Sequence, residues 1–304
     1  MDSAYVVRLN GEVDSDEAKA ALDPAQVGLK VSGLAEVAQL GIRVPKGFPV
    51  TAAAYEEFVL DARLAPTIAR AIRRFRAGRD LGVAAAGIRS AFRDAWLPPA
   101  VGDAIVAAYE ELGGDGTDVA VRCSPRTAEA LPDEVFLHLR SSRDVLAACR
   151  CFAALYSTVA VGNREALGVD QLRVAMPVVV QRMVRSDVGG SGTARGESTF
   201  VRVRASWGIG PHRDADLYSV HPGARPLIVR HRGAKLTKTV YADPCGTRTV
   251  PTTPDERAGL VLTDEELQQL ARWSVASDGH FRHPTTLDWA KDGHTGELYV
   301  LEVR

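Results

Sequence analysis

The sequence predicts an α+β protein of two lobes, and three observations carry that reading. Helical and extended segments alternate irregularly, with no βαβ rhythm and no internal repeat, which argues against a doubly wound parallel sheet. The helical stretches open on recognisable caps, as at Thr51 and at Thr263-Asp264-Glu265-Glu266. The chain then closes on two alternating apolar runs around a polar turn, the pattern of an antiparallel hairpin. With 304 residues, 46% of them hydrophobic, there is material for a substantial core in one large two-lobed domain or two small ones.

In chain order, Ser32–Gly41 reads as a short amphipathic helix with a Ser N-cap and a Gly C-cap, and Val44–Val50 as an extended, Pro-punctuated link. Thr51 caps a second helix with Tyr55, Phe58 and Val59 on one face, and residues 62–113 continue with helical spacing until Gly113-Gly114-Asp115-Gly116. A strand follows at Asp118–Arg122, then a helix over 142–160. Val174–Val184 reads as a buried strand and Thr199–Arg204 as a half-exposed one. The lobe boundary is expected near 165–178, giving an N-terminal lobe of 1–172 and a C-terminal lobe of 173–304.

The terminal hairpin carries chemistry. Folding it about a turn centred near His294 and Thr295 places Asp288 opposite Glu302, and strand alternation puts Arg304 on the face of Glu302. Two carboxylates beside a guanidinium suit a Mg-nucleotide site, with hard oxygens for Mg²⁺ and a planar cation for phosphate. A surface hairpin with cross-strand charge pairs is the competing reading.

Other classes are disfavoured. A net charge of −1 with no basic run interleaved with aromatics gives no footprint for nucleic acid. No run of eighteen apolar residues and no signal-peptide core occur, so a cytoplasmic chain with no membrane partner is expected. The four cysteines match neither a disulfide framework nor a zinc spacing.

Collinear segments over residues 24 to 304 together resemble a known family. They are Gly28-Leu29-Lys30, Gly41–Phe48, Val119–Ser124, Val178–Val184, Ala205–Gly210, His280–Pro284, Leu287–Gly293 and Leu301–Arg304. The resemblance is to the nucleotide-binding domain of phosphoenolpyruvate synthase, pyruvate phosphate dikinase and rifampicin phosphotransferase, of ATP-grasp architecture with the nucleotide cleft between two lobes. It implies ATP and Mg²⁺ as cofactors, with Lys30, Arg122 and Arg304 on the phosphates and Arg122 and Arg304 as the catalytic cations. It also implies Gln181 and Met183 at the adenine, and Asp288 and Glu302 at the metal. The competing readings are a solvated loop lysine for Lys30, a structural ion pair for Arg122 and ordinary core packing for Gln181.

The sequence also departs from the family pattern. Asp288 stands where Glu is usual, Glu302 where Gln is usual, Thr286 where Asp is usual and Pro211 where Glu is usual. After Leu131-Pro132 the Gly-bearing phosphate loop is missing, and Asp133–Leu139 is expected to run straight into the next helix. A second hairpin is shortened after Ser191-Gly192. None of the seven histidines lies in the context of the family's phosphohistidine domain. The implied function is an ATP-dependent phosphotransferase or its nucleotide-binding subunit, acting on a small-molecule acceptor or with a separate phosphohistidine-domain protein. A carboxylate ligase and a degenerate, non-catalytic binding subunit are the alternatives.

Overall fold

A glycine breaks the first helix. Helix α1 (Pro24–Gln39) is interrupted at Gly28, whose φ of 78° and ψ of 166° lie outside the helical region. This is seen in the computed structural model, which describes residues 4–9, 22–127, 135–194, 200–210, 214–223, 226–243 and 246–304. Ser32 therefore lies inside the helix and is not its N-cap. The new helical start at Gly28 is capped from outside, by the Pro125 carbonyl on the Leu29 N–H and the Ser124 hydroxyl on the Val31 N–H. The helix ends as expected at Gly41, with φ of 75°.

The chain divides into two compact units, Met1–Ser32 with Lys46–Arg182 and Gly33–Pro45 with Met183–Arg304. The sequence reading expects one division at 172/173, whereas the chain passes between the compact units after Ser32, after Pro45 and after Arg182.

In the first unit, β1 (Gly47–Val50), β2 (Val119–Cys123), β3 (Val135–Leu139) and β4 (Val178–Arg182) form a sheet of order β1-β4-β2-β3, antiparallel throughout. Strand β4 is hydrogen-bonded on both sides, and that fixes it in this unit. Two strands add to the sequence reading. The link at 44–50 contains a true strand, because Phe48 and Val50 are apolar enough to be buried beside β4. Val135–Leu139 is a strand paired with β2, and the next helix follows it as expected, after only Arg140 and the N-cap Ser141; Leu131–Glu134 lie outside the described residues. One sheet face, with Phe48, Val50, Val119, Val121, Cys123, Val178 and Val180, packs into the core made by α2 (Ala52–Asp61), α3 (Leu64–Arg76), α4 (Leu81–Asp94) and α5 (Pro99–Leu112). Thr51 caps α2 as expected, accepting from the Ala54 N–H. The helix expected at 142–160 is instead α6 (Ser142–Cys149), a 3-10 turn over Arg150–Tyr156, and α7 (Thr158–Ala166), recapped by Ser157.

In the second unit, β5 (Ser186–Ala194), β6 (Val201–Trp207), β7 (Asp216–His221), β8 (Leu227–His231), β11 (Thr286–Asp292) and β12 (Leu298–Val303) form an antiparallel sheet of order β12-β11-β5-β6-β7-β8. Between them come the ribbon β9 (Thr237–Tyr241) with β10 (Thr247–Pro251), the short α8 (Pro254–Ala258) and α9 (Asp264–Phe281). Helix α9 opens on the expected capping box of Thr263 and Glu266. It sends Leu267, Leu270 and Ala271 against one face of the sheet, where Val201, Val203, Ala205, Val220 and Trp289 are buried. Two glycines permit this packing. A Cβ at Gly192 would lie 2.9 Å from the Ser274 hydroxyl of α9, and one at Gly190 2.8 Å from the Trp289 ring. The second half of α1 joins this unit because Leu34, Val37 and Ala38 pack on Leu287 and Val300 of the last hairpin.

Candidate functional site

Each sheet has one face given to the core and another that carries the residues singled out from the sequence. In the first unit Arg122 pairs with Val179 and Ala120 with Gln181, so Arg122 and Gln181 share the face that does not pack into the helical core. Gln181 is buried, and its Nε2 has no hydrogen-bond partner among the described residues. A buried amide donor left unsatisfied costs about 1–3 kcal/mol. The Lys30 loop is stitched to the end of β2. The Ser124 hydroxyl donates to the Val27 carbonyl at 2.8 Å, the Leu29 N–H donates to the Pro125 carbonyl at 2.9 Å, and a Cβ on Gly28 would sit 1.7 Å from the Ser124 carbonyl oxygen. Only glycine allows that approach. Lys30, half-buried, thus starts its helical turn against the segment that follows Arg122.

In the second unit Asp288 is the cross-strand partner of Glu302, as the hairpin register predicts. What the register did not predict is a bulge. Trp289 pairs with Val300, two residues before Glu302, so Leu301 is the extra residue. In an unbroken strand Val300 and Glu302 would point the same way. The bulge lets Val300 join the core with Leu287 while Glu302 shares a face with Asp288. Arg304 exchanges backbone hydrogen bonds with Thr286, and its Nη2 lies 2.8 Å from Oδ1 and 2.7 Å from Oδ2 of Asp288. Asp292 holds the turn, accepting from the N–H groups of His294 (2.9 Å), Thr295 (3.0 Å) and Arg185 (3.3 Å). Burial pushes the Asp292 pKa up, but those N–H groups outweigh it and hold the carboxyl below its ordinary range.

Met183 lies two residues beyond Gln181, half-buried, just past the end of β4 and in the second unit. Lys235, one of the few lysines in an Arg-biased chain, is buried in an ion pair with Asp216 that also engages the Gly233 and Val261 N–H groups and the Tyr218 hydroxyl. That network is saturated and structural. Pro211, His212 and residues 195–199 lie outside the described residues. No single helix among the described residues is long and apolar enough to cross a membrane.

The family is decided by the match of residues 24–304 to the model of the pyruvate phosphate dikinase AMP/ATP-binding domain. The chain belongs to this family. Phosphoenolpyruvate synthase of Deinococcus radiodurans is 35% identical over 92% of this chain, and that of Escherichia coli strain K12 is 33% identical over 93%. The chain spans 39% and 40% of those relatives' lengths. Among solved structures, the ATP-grasp ligase PsnB complexed with a minimal precursor overlaps 96% of this chain and 55% of its own at 14% identity, with a TM-score of 0.33. Membership in the pyruvate phosphate dikinase AMP/ATP-binding family agrees with the mixed helix-and-sheet fold and makes this a nucleotide-binding chain.

The sequence reading missed a concave patch beside the carboxylates. On the same face of the six-stranded sheet, Ser191, Thr193, Arg202, Arg204, Ser219 and His231 line a groove of about 460 Å³. Its signal was present in Val201-Arg202-Val203-Arg204, where arginines alternate with buried valines.

Proposed function

We propose that this chain binds Mg-ATP and passes phosphate to a small acceptor or to a separate phosphohistidine-domain protein. In the first unit, Lys30 and Arg122 engage phosphate oxygens and Gln181, with Met183 after it, reads the adenine. In the second, Asp288 and Glu302 hold Mg²⁺ and Arg304 contributes a further phosphate cation. The observation that supports this most is the bulged hairpin, which spends a β-irregularity to bring Glu302 beside Asp288 on the polar sheet face.

The donor set fits the metal. No group of three or more His, Cys, Asp or Glu that could hold a metal ion occurs among the described residues, so the protein offers a carboxylate pair and not a closed cage. Mg²⁺ in nucleotide sites is held this way, by one or two carboxylates with phosphate oxygens and water. When bound, the ion neutralises charge between phosphates. The contribution of the chain is positioning. Guanidinium groups grip two phosphate oxygens at once, and fixed cations stabilise charge on the phosphoryl group in flight without reorganising. The acceptor nucleophile forms its bond to phosphorus as the bond to the leaving oxygen breaks. The chain spans about two fifths of the length of the phosphoenolpyruvate synthases it matches, so a phosphohistidine domain and a small molecule both stand as acceptors under this reading.

Calorimetric titration with Mg-ATP tests the assignment. Lys30→Ala and Arg122→Ala are each expected to weaken binding by about tenfold or more, the worth of a hydrogen bond to a charged group. Equal affinity in all three proteins would remove both residues from the site.

A further inference from the structure

The polar face of the six-stranded sheet does not end at the carboxylates. One cross-strand row runs Glu302, Asp288, Ser191, Arg204, Leu217, His231, and the next runs Thr286, Thr193, Arg202, Ser219. The two rows are offset by two residues along each strand, so they share a face, and within the second row the Thr193 and Thr286 hydroxyls meet at 3.1 Å. We propose that the groove over Arg202 and Arg204 binds the anionic substituent, phosphate or carboxylate, of a small-molecule phosphoryl acceptor. This rests on the Mg-ATP reading above.

Three features support the assignment. Arg202 and Arg204 stand two residues apart on one strand, roughly 7 Å between Cα atoms, and their neighbours Val203 and Ala205 anchor that strand in the core. Each arginine has a hydroxyl beside it, Ser191 next to Arg204 and Thr193 and Ser219 on either side of Arg202, while His231 closes the far end. Among the described residues, no aspartate or glutamate lines the groove. Paired guanidinium forks with hydroxyl donors are the chemistry of phosphate and carboxylate recognition. Position and size add to this. Arg204 lies two strands from Asp288, about 10 Å at ordinary strand spacing, so an anion on the arginines places the rest of a small molecule toward the carboxylate pair. A volume near 460 Å³ holds a metabolite and not a protein domain. In the transfer, an acceptor oxygen forms the new bond to phosphorus as the bond to the nucleotide oxygen breaks. The nucleotide leaves with that electron pair, and an acceptor hydroxyl releases its proton to water.

The test uses the full chain and two probes, inorganic phosphate and succinate, followed by the amide signals of β6 and β7 against sodium chloride at matched ionic strength. Saturable shifts with either probe are expected, weakened about tenfold or more in R202Q/R204Q and less in H231Q, while Mg-ATP affinity in both variants stays within about twofold of wild type. Stronger phosphate binding identifies a phosphorylated acceptor and stronger succinate binding a carboxylate. The proposal is overturned by no saturable shift, by equal binding in R202Q/R204Q, or by loss of Mg-ATP affinity in that variant, which would give the groove to the nucleotide. A wild type that saturates with phosphate yet does not bind Mg-ATP refutes the nucleotide reading, and with it the acceptor role, while leaving the anion site standing.

Discussion

Arg304 and Asp288 form an ion pair in which one guanidinium nitrogen reaches both carboxylate oxygens, at 2.8 and 2.7 Å. The pair is diagonal across the last two strands, and it sets a positive charge beside Asp288 and its cross-strand partner Glu302. Repulsion between two facing carboxylates is therefore only part of the electrostatics of the site. Since the Arg304 side chain is 57% exposed, the pair is worth about 0.2–1 kcal/mol to stability.

Asp288→Asn should accordingly lower stability by no more than about 1 kcal/mol while removing most of the Mg²⁺-dependent part of ATP binding. Glu302→Gln, which removes one of the two facing carboxylates, should leave the apo protein as stable as wild type or slightly more so. Thermal shift with and without Mg-ATP separates the two effects. Equal stabilisation of Asp288→Asn and wild type by Mg-ATP would return the hairpin to a structural role.

The Gly28 approach gives a sharper test of the Lys30 loop. Gly28 and Gly41 have nearly the same φ, 78° and 75°, but a Cβ at Gly41 meets nothing within 4 Å, whereas at Gly28 it would collide with the Ser124 carbonyl. Gly41→Ala should cost about 1 kcal/mol and Gly28→Ala about 2 kcal/mol or more, with weaker ATP binding only in the latter. Urea denaturation and calorimetry of the two variants measure the difference. Identical losses would show that the loop yields without consequence.

Gln181 offers a separation of stability from binding. Replacing a buried amide that lacks a partner for Nε2 by an apolar group of similar volume removes a desolvation cost. Gln181→Leu should melt at the same temperature or higher and bind ATP more weakly. A variant that loses stability and keeps its ATP affinity would identify Gln181 as packing.

A pH dependence follows from Asp292. Its folded pKa is depressed by the turn N–H groups, so its stabilisation is fully present above the unfolded carboxylate pKa, near 3.9, and is lost as pH falls through the lower folded value. The stability gap between wild type and Asp292→Ala should be constant from pH 7 to about 5 and narrow below about 4. Denaturation curves across that range give the answer, and a gap that widens on acidification contradicts the assignment.

Much of this was legible in the sequence wherever the determinants were local. The capping box at Thr263, the cap at Thr51 and the glycine stop at Gly41 depend on residues within one helical turn, and each formed as read. The hairpin and its turn were visible too, although the pairing of Asp288 with Glu302 also needs the Leu301 bulge. Where long-range partners decide the outcome, the sequence was silent. Val174–Val184 read as a buried strand, and Val178–Arg182 forms one, but its place in the first unit comes from the two strands that flank it, one of them read as a link. The 142–160 stretch looked like one helix until core packing, with a new cap at Ser157, broke it.

The candidate site divides in the same way. The sequence by itself determined which residue types were available: a lysine after a glycine, an arginine ending a strand, a carboxylate pair with an arginine beside it, and arginines alternating with valines. Only the tertiary structure decided how they meet. The Leu301 bulge turns Glu302 away from the core that Val300 enters, the Gly28 break brings the Lys30 loop against Ser124, and the register of β5 through β8 lays Arg202 and Arg204 beside the carboxylates. The reason is physical: alternation along one strand fixes which face a side chain takes, but a bulge, a kink or the identity of the neighbouring strand is set by packing between segments far apart in the chain.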